Sequence, residues 1–517
     1  MNNVPHRHIT TCVLAALLPL GFSSITVPAN AQADREVLQK MIAYERDSSD
    51  VVDNLEYLSD MIGPRLTGST KLKMANDWTA EKMRGYGLDN VHLEAYTIPE
   101  GWERGSVEAR ITSPTNLPIS AAQMAWTGPT HGKVTGQIVV FAPQTEADFA
   151  AFEGKLKNAI ILPSATAGPN PSPTGMMAWP GAPTLPPIPA FAGAGKEPVK
   201  AAQSAPSTPG PPGAADLQKL LAFRKKLNEF MIKEGVLAVL RDSGKPHQLL
   251  NMTGSWNQAS PIPTLFVTHE HIALLQRLLK RNQPVILELN VKSRFVKGPI
   301  TVFNTVGEIK GSEKPNEVVL LGGHLDSWDL GTGSTDNGTG SMAALEAAKL
   351  IKSSGVAPKR TIRFIMFTGE EEGLMGSKAY VAAHKAEMDN FDVVYVHDTG
   401  TGRVKGLWLQ NRAEDKPMID TQFALLKDLG LLTDEPNILP NKMNGTDHAS
   451  FDDAGVPAFA FNQDGAEYGL THHSQSDTFD KVRPDDLKQG ACVLAVLGLN
   501  AAQMPERFVR GGTVTTR

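Results

Sequence analysis

The stretch Val318-Val319-Leu320-Leu321-Gly322-Gly323-His324-Leu325-Asp326-Ser327-Trp328-Asp329 runs four consecutive apolar residues through a glycine pair into a His-x-Asp pair. Such a run, closed by glycines, reads as a strand at 318–321 buried on both faces. The arrangement recurs downstream. A strand at 361–367 leads into Thr368-Gly369-Glu370-Glu371-Glu372-Gly373, one at 393–396 into His397-Asp398-Thr399-Gly400, and one at 457–461 towards His472-His473-Ser474-Gln475-Ser476-Asp477. Helical patterns at 340–351, 372–384 and 485–502 alternate with these strands. The alternation predicts an α/β fold, a mostly parallel mixed sheet flanked by helices, with its sites gathered at the carboxyl ends of the strands.

Upstream, a helical pattern begins at Ala33 and a second follows around Leu55, Leu58 and Ile62. The turn Gly63-Pro64-Arg65-Leu66-Thr67-Gly68 separates them from a third at 75–86, and strand-like runs follow at 91–96 and 107–111. Strands at 137–141, 159–162, 236–240, 263–267 and 285–291, with helices at 217–233 and 269–281, read as a smaller β-rich α+β domain inserted at 125–291. Within it, 163–212 is crowded with Pro, Ala, Gly and Ser, including Pro186-Pro187 and Pro211-Pro212. That composition opposes helix and central strand and reads as an exposed excursion. The main domain is then discontinuous, 34–124 and 292–506, with 507–517 as a tail.

The 517 residues carry 50 Lys and Arg against 55 Asp and Glu, a formal charge of −5, with 41% hydrophobic and 20% charged residues. This is ordinary globular composition and excludes disorder, collagen and coiled coil. No basic run is long enough to suggest a nucleic-acid partner. Residues 1–33 contain Arg7 as their only charged residue, then an apolar stretch at 12–22, then small residues at Ala29, Ala31 and Ala33. That is the pattern of a secretory signal peptide, and the apolar stretch is too short to span a membrane. The mature chain is expected to be secreted or periplasmic. Only Cys492 would remain in it, so an intrachain disulfide is not expected, and its apolar surroundings read as those of a small buried hydrophobe.

Four clusters carry chemistry. His324 followed by Asp326 suits a metal ligand and the carboxylate that fixes its tautomer. Asp336, in Ser334-Thr335-Asp336-Asn337-Gly338-Thr339-Gly340, reads either as an ordinary helix N-cap or as a carboxylate bridging two cations, with glycines that let the backbone approach. Acidic residues favour a helix start, but Glu370, Glu371 and Glu372 together repel one another. A bound cation would relieve this, and one carboxylate could ligate while its neighbour manages protons. His472 and His473 cannot both face one point from a regular strand, which makes one a ligand and the other a neighbour. Two His and three carboxylates from separate strand ends point to two cations sharing one bridge. Mixed N/O ligation favours zinc, with cobalt or manganese as alternatives.

The ordered strings Gly322-Gly-His-Leu-Asp-Ser-Trp-Asp329, Asp336-Asn-Gly-Thr-Gly340, Pro358-Lys-Arg-Thr361, Gly369-Glu-Glu-Glu-Gly373, Gly445-Thr-Asp447, Ala454-Gly-Val-Pro457 and His472-His-Ser-Gln-Ser-Asp-Thr478 resemble the co-catalytic dizinc exopeptidases. That family includes leucyl-type aminopeptidases and carboxypeptidase Q-like enzymes, and the resemblance runs from about residue 34 to 506. It implies a zinc exopeptidase fold and two Zn2+ per subunit. His324 and Glu371 would serve separate metals, joined by Asp398 and His473, with Asp336 bridging. Glu370 would be the general base that takes a proton from the attacking water and returns it to the leaving amine. Asp326 would support His324, and Asp477 would play a similar part. The family's HTxxDT or HSxxDT string aligns Asp477 and thereby selects His473 over His472. Aminopeptidases of the group carry Tyr at the position of His472, which makes His472 a candidate oxyanion or substrate contact. Asp447 and His448 are assigned to the pocket wall, and His397 is a strand-end neighbour. The insertion at 125–291 resembles the protease-associated domain, and the relatives imply a homodimer.

The expected function is a secreted dizinc metallo-exopeptidase acting on short peptides, chiefly dipeptides with free termini, without nucleic-acid partner or membrane span. Alternatives are an aminopeptidase on longer peptides, a non-catalytic receptor-like binding module, and a one-zinc acyltransferase that cyclises N-terminal glutamine and releases ammonia. The complete set His324, Asp336, Glu370, Glu371, Asp398 and His473 argues against the binding module.

Overall fold

The computed structural model describes residues 30–164 and 214–510. The expected signal peptide therefore lies outside the described residues except for 30–33, as does the Pro-rich stretch except for 163–164 and the tail beyond 510.

An eight-stranded mixed sheet forms the main body, in the order Asp89–Ile98, Ile300–Ile309, Arg360–Phe367, Lys314–His324, Phe391–Val396, Ala458–Gln463, Val404–Trp408, Asn437–Leu439. The four central strands are mutually parallel. Their side chains alternate between two apolar layers. Val319, Leu321, Phe364 and Tyr395 join the layer that also holds Leu345 and Leu494 of helices Thr339–Ser353 and Pro484–Gln503. Val318, Leu320, Phe367 and Val396 join Tyr380 and Phe451 on the opposite face. Burial on both faces is why these strands read as unbroken apolar runs. His324 pairs with Phe367, and Gly322 with Val396, so the loops that leave these strands emerge together at one edge.

Two expectations about local structure are corrected. The helix expected at 372–384 spans Met375–Ala383, because the Glu370 carbonyl accepts from the Gly373 and Leu374 amides and closes a turn first. The acidic residues thus belong to a loop, outside any first helical turn. Asp336 is likewise no N-cap: the cap position of helix Thr339–Ser353 is taken by Gly338, two residues further on.

The second sheet has eight strands in the order Leu117–Pro118, Gly101–Ser113, Ile286–Val296, Val134–Val140, Ala159–Leu162, Ala238–Asp242, Thr264–Val267, Ala121–Gln123. Its chain enters through Gly101–Ser113 and leaves through the antiparallel partner Ile286–Val296. The sheet therefore reaches beyond the 125–291 limits at both ends. Arg104 on the entering strand donates from Nη2 to Asp329 Oδ1 at 2.7 Å, joining this unit to the loop that follows His324. At the other end of the chain, residues 507–510 pack against the main body: Phe508 is buried and its amide donates to Asp392 Oδ1. Among the described residues, no helix is long and apolar enough to cross a membrane.

Candidate metal centre

Every loop leaving the parallel strands is tied to its neighbour. The Ser341 hydroxyl donates to the His324 carbonyl at 2.7 Å. Asn337 donates from Nδ2 to the His397 carbonyl and accepts the Gly340 amide at Oδ1, both at 2.8 Å. Gly340 is required here, since a Cβ would collide with the His397 carbonyl.

These ties bring the candidate ligands together. His324 Nε2 lies 3.4 Å from Asp336 Oδ1 and 3.3 Å from Asp398 Oδ1. His473 Nε2 lies 3.5 Å from Asp336 Oδ2 and 2.9 Å from Glu371 Oε2. Two groups of side chains accordingly have ligand atoms within 4.8 Å of one another, His324 with Asp336 and Asp398, and Asp336 with His472 and His473. Asp336 is common to both and presents a different oxygen to each.

The histidine pair departs from the expectation built on a strand. His472 and His473 follow the short helix Tyr468–Thr471 in a turn, with His473 at φ 54°. Their rings stack with centroids 3.7 Å apart, so both face Asp336, His472 Nε2 at 3.9 Å from Oδ2. Only His473 also reaches Glu371. Trp328 packs edge-on against His473, and Tyr468 against His472.

Supporting residues sort differently from one another. Asp326 Oδ1 lies 3.6 Å from His324 Nδ1, which is nearer the Asp326 carbonyl at 3.1 Å, while Oδ2 accepts from Thr67 and from the Glu371 amide. Asp477 touches no histidine ring. Its Oδ1 accepts from the Thr335 amide at 2.6 Å and hydroxyl at 2.9 Å, and its Oδ2 from the Asp336 amide at 3.2 Å. His397 packs beside Gly490 and, pushed down to about 4 by burial, is a neutral neighbour. His448 is buried against Gln410 and the Met443 carbonyl, and neither it nor Asp447 enters a ligand group.

The electrostatics suit cations. Burial pushes Glu370 and Glu371 well above the usual carboxylate range, and the negative charges of Asp398 and Asp336 push further. Asp336 Oδ2, Glu371 Oε1 and Asp398 Oδ1 are buried without a hydrogen-bond partner. Converging acidic oxygens without donors, beside imidazole nitrogens, fit divalent metal.

Arg65 gave no signal in the sequence beyond its place in a Gly-Pro turn. Fully buried, it donates to the carbonyls of Leu325, Gly63, Thr332 and Gly333 at 2.6–3.1 Å, bracing the two loops that carry Asp326 and Asp336.

The fold and the clustered candidate ligands are those expected of a metallo-exopeptidase. Residues 304–497 match the model of peptidase family M28. Carboxypeptidase Q of Rattus norvegicus is 29% identical over 488 residues, covering 93% of this chain and 91% of that protein. The crystal structure of a peptidase M28 precursor from Shewanella amazonensis superposes with a TM-score of 0.69 at 25% identity, covering 92% of this chain and 98% of the other. A zinc aminopeptidase from Bacillus subtilis shares the fold, with a TM-score of 0.57 at 20% identity, covering 87% of this chain and 94% of the other.

Proposed function

We propose that the chain is a secreted dizinc exopeptidase that hydrolyses short peptides, chiefly dipeptides with both termini free. The observation that carries this reading is Asp336, which offers one oxygen to the His324–Asp398 side and the other to the histidine pair. His324, Asp398, Glu371 and His473 complete the two ligand sets around that bridge, and the zinc dependence stated for the Bacillus relative supports the choice of ion.

When bound, such a pair supplies Lewis acidity, lowering the pKa of water from ~16 towards about 7 and polarising the scissile carbonyl. Glu370 takes the proton of the attacking water and delivers it to the departing amine. Asp326 orients His324, and Asp477 holds the backbone of the bridging residue. His472, stacked on the ligand His473 with an exposed edge, is placed to meet substrate.

The test is amino-acid release from a free dipeptide and from its N-acetylated and C-amidated forms by zinc-loaded protein, with a chelator control. Loss on both modifications is expected. Loss only on acetylation would make the enzyme an aminopeptidase, and loss only on amidation a carboxypeptidase. No cleavage of any form despite bound metal would favour the binding module.

A further inference from the structure

Five Lys or Arg side chains are buried among the described residues, namely Arg65, Lys245, Lys349, Arg360 and Arg412. Lys349 pairs with Asp50 and Glu346, Arg360 with Glu317 and Asp392, and Arg412 with Asp415 and Asp452. Arg65 spends its donors on four carbonyls. Lys245, 6% exposed, has a single acceptor, the Gly469 carbonyl at 3.2 Å, and no carboxylate within ion-pair distance among the described residues. An ammonium carries three donors, and a buried charge without a counter-charge is costly.

Its position explains the cost. Lys245 sits on the loop that leaves strand Ala238–Asp242 of the second sheet. Ser243 closes that loop by donating from Oγ to the Leu249 carbonyl at 2.6 Å. The loop is fastened to the histidine turn, the Leu250 amide on Gln475 Oε1 and the Met252 amide on the His473 carbonyl, both at 2.8 Å. Gly469, which receives the ammonium, lies three residues before His472 in the same turn. The charge of Lys245 is felt by Asp336, His472 and His473. Burial pulls the ammonium down to about 8, against the opposing pull of Asp336.

We infer that Lys245 is a specificity residue that receives the free α-carboxylate of the substrate, delivered by the inserted unit to the rim of the metal centre. This rests on the exopeptidase reading above. A free dipeptide brings one anionic group into a site already crowded with carboxylates, and among the described residues Lys245 is the one buried cation there with donors left over after its single carbonyl partner. Its carboxylate supplies the counter-charge the ammonium lacks, and the inserted unit thereby selects substrates that end at the bound residue.

Lys245→Gln keeps a donor for Gly469 and removes the charge, and Lys245→Arg restores charge. With the full-length zinc-loaded protein, Lys245→Gln is expected to raise KM for the free dipeptide by about tenfold or more, to narrow by the same factor the preference for the free over the C-amidated form, and to be largely rescued by Lys245→Arg. Calorimetry with a non-hydrolysable reduced-amide dipeptide and its C-terminal amide should show that the wild type prefers the acid and that Lys245→Gln does not. Equal loss of turnover on both substrates would assign Lys245 to the oxyanion or to scaffolding and overturn the inference. So would an unchanged preference in the variant, or no preference in the wild type. If metal-loaded wild type cleaves no peptide, the exopeptidase reading falls, while the calorimetric comparison still decides the role of Lys245.

Discussion

Asp477 holds Asp336 by its backbone: the carboxylate accepts the amide of Asp336 on one oxygen and the amide and hydroxyl of Thr335 on the other. The candidate bridging residue is thus fixed by a buried acceptor from the segment that also carries His473. Asp477→Asn leaves one acceptor for three donors. Its expected effect is a loss of metal affinity of about 10- to 100-fold, measured by competition with a chromophoric chelator. Unchanged affinity would show that the loop is held by its other contacts.

Glu370 and Glu371 are adjacent and carry different assignments. Glu370→Gln should retain both metals by elemental analysis and lose about 10²- to 10⁴-fold in turnover. Glu371→Gln should lose metal as well, because Glu371 Oε2 meets His473 at 2.9 Å. Retained turnover in a metal-loaded Glu370→Gln protein would remove Glu370 from the base role.

Arg65 makes a prediction about stability. Its guanidinium satisfies four buried carbonyls, and truncation strands all of them. Arg65→Met should cost about 3–5 kcal/mol in urea unfolding, and Arg65→Lys most of that, since a point charge cannot span the same fork. A loss below about 1 kcal/mol would mean that water replaces the guanidinium.

The parallel strands and the candidate ligands at their ends were legible because burial on both faces writes an uninterrupted apolar run, and the candidates follow where each run stops. Other elements lacked that signature. Strand Ile300–Ile309 places Asn304 and Thr305 in the interior, where Asn304 Nδ2 donates to the Gly376 carbonyl and Thr305 meets Asn76 and Thr79. Polar residues satisfied by distant partners break the pattern on which a strand is recognised. Val404–Trp408 and Asn437–Leu439 are too short to announce themselves. His472 and His473 share a face because of a turn that no strand periodicity encodes. Arg65 and Lys245 acquire their meaning only from groups that lie far away in the chain, Leu325 and Thr332 in one case and Gly469 in the other.

Away from the metal centre, Glu45 and Glu346 form a second buried acidic pair, each with one oxygen lacking a donor. Burial, then the charge of Glu346, pushes Glu45 up to about 8, against the pull of Ser49 and Lys349, and burial raises Glu346 as well. Lys349 also faces Asp50, which keeps part of its charge occupied. A proton held by the pair relieves the repulsion between the two carboxyls. The folded state therefore binds this proton more tightly than the unfolded chain, whose glutamate titrates near 4.5. The stability it contributes is complete below that value and is lost as pH rises through about 8. Glu45→Gln supplies a permanent donor to Glu346 and removes the titration. Urea midpoints measured from about pH 5 to about pH 9 should fall for the wild type by the equivalent of a few kcal/mol and stay flatter for the variant. Parallel pH profiles for the two proteins would show that the pair holds no such proton.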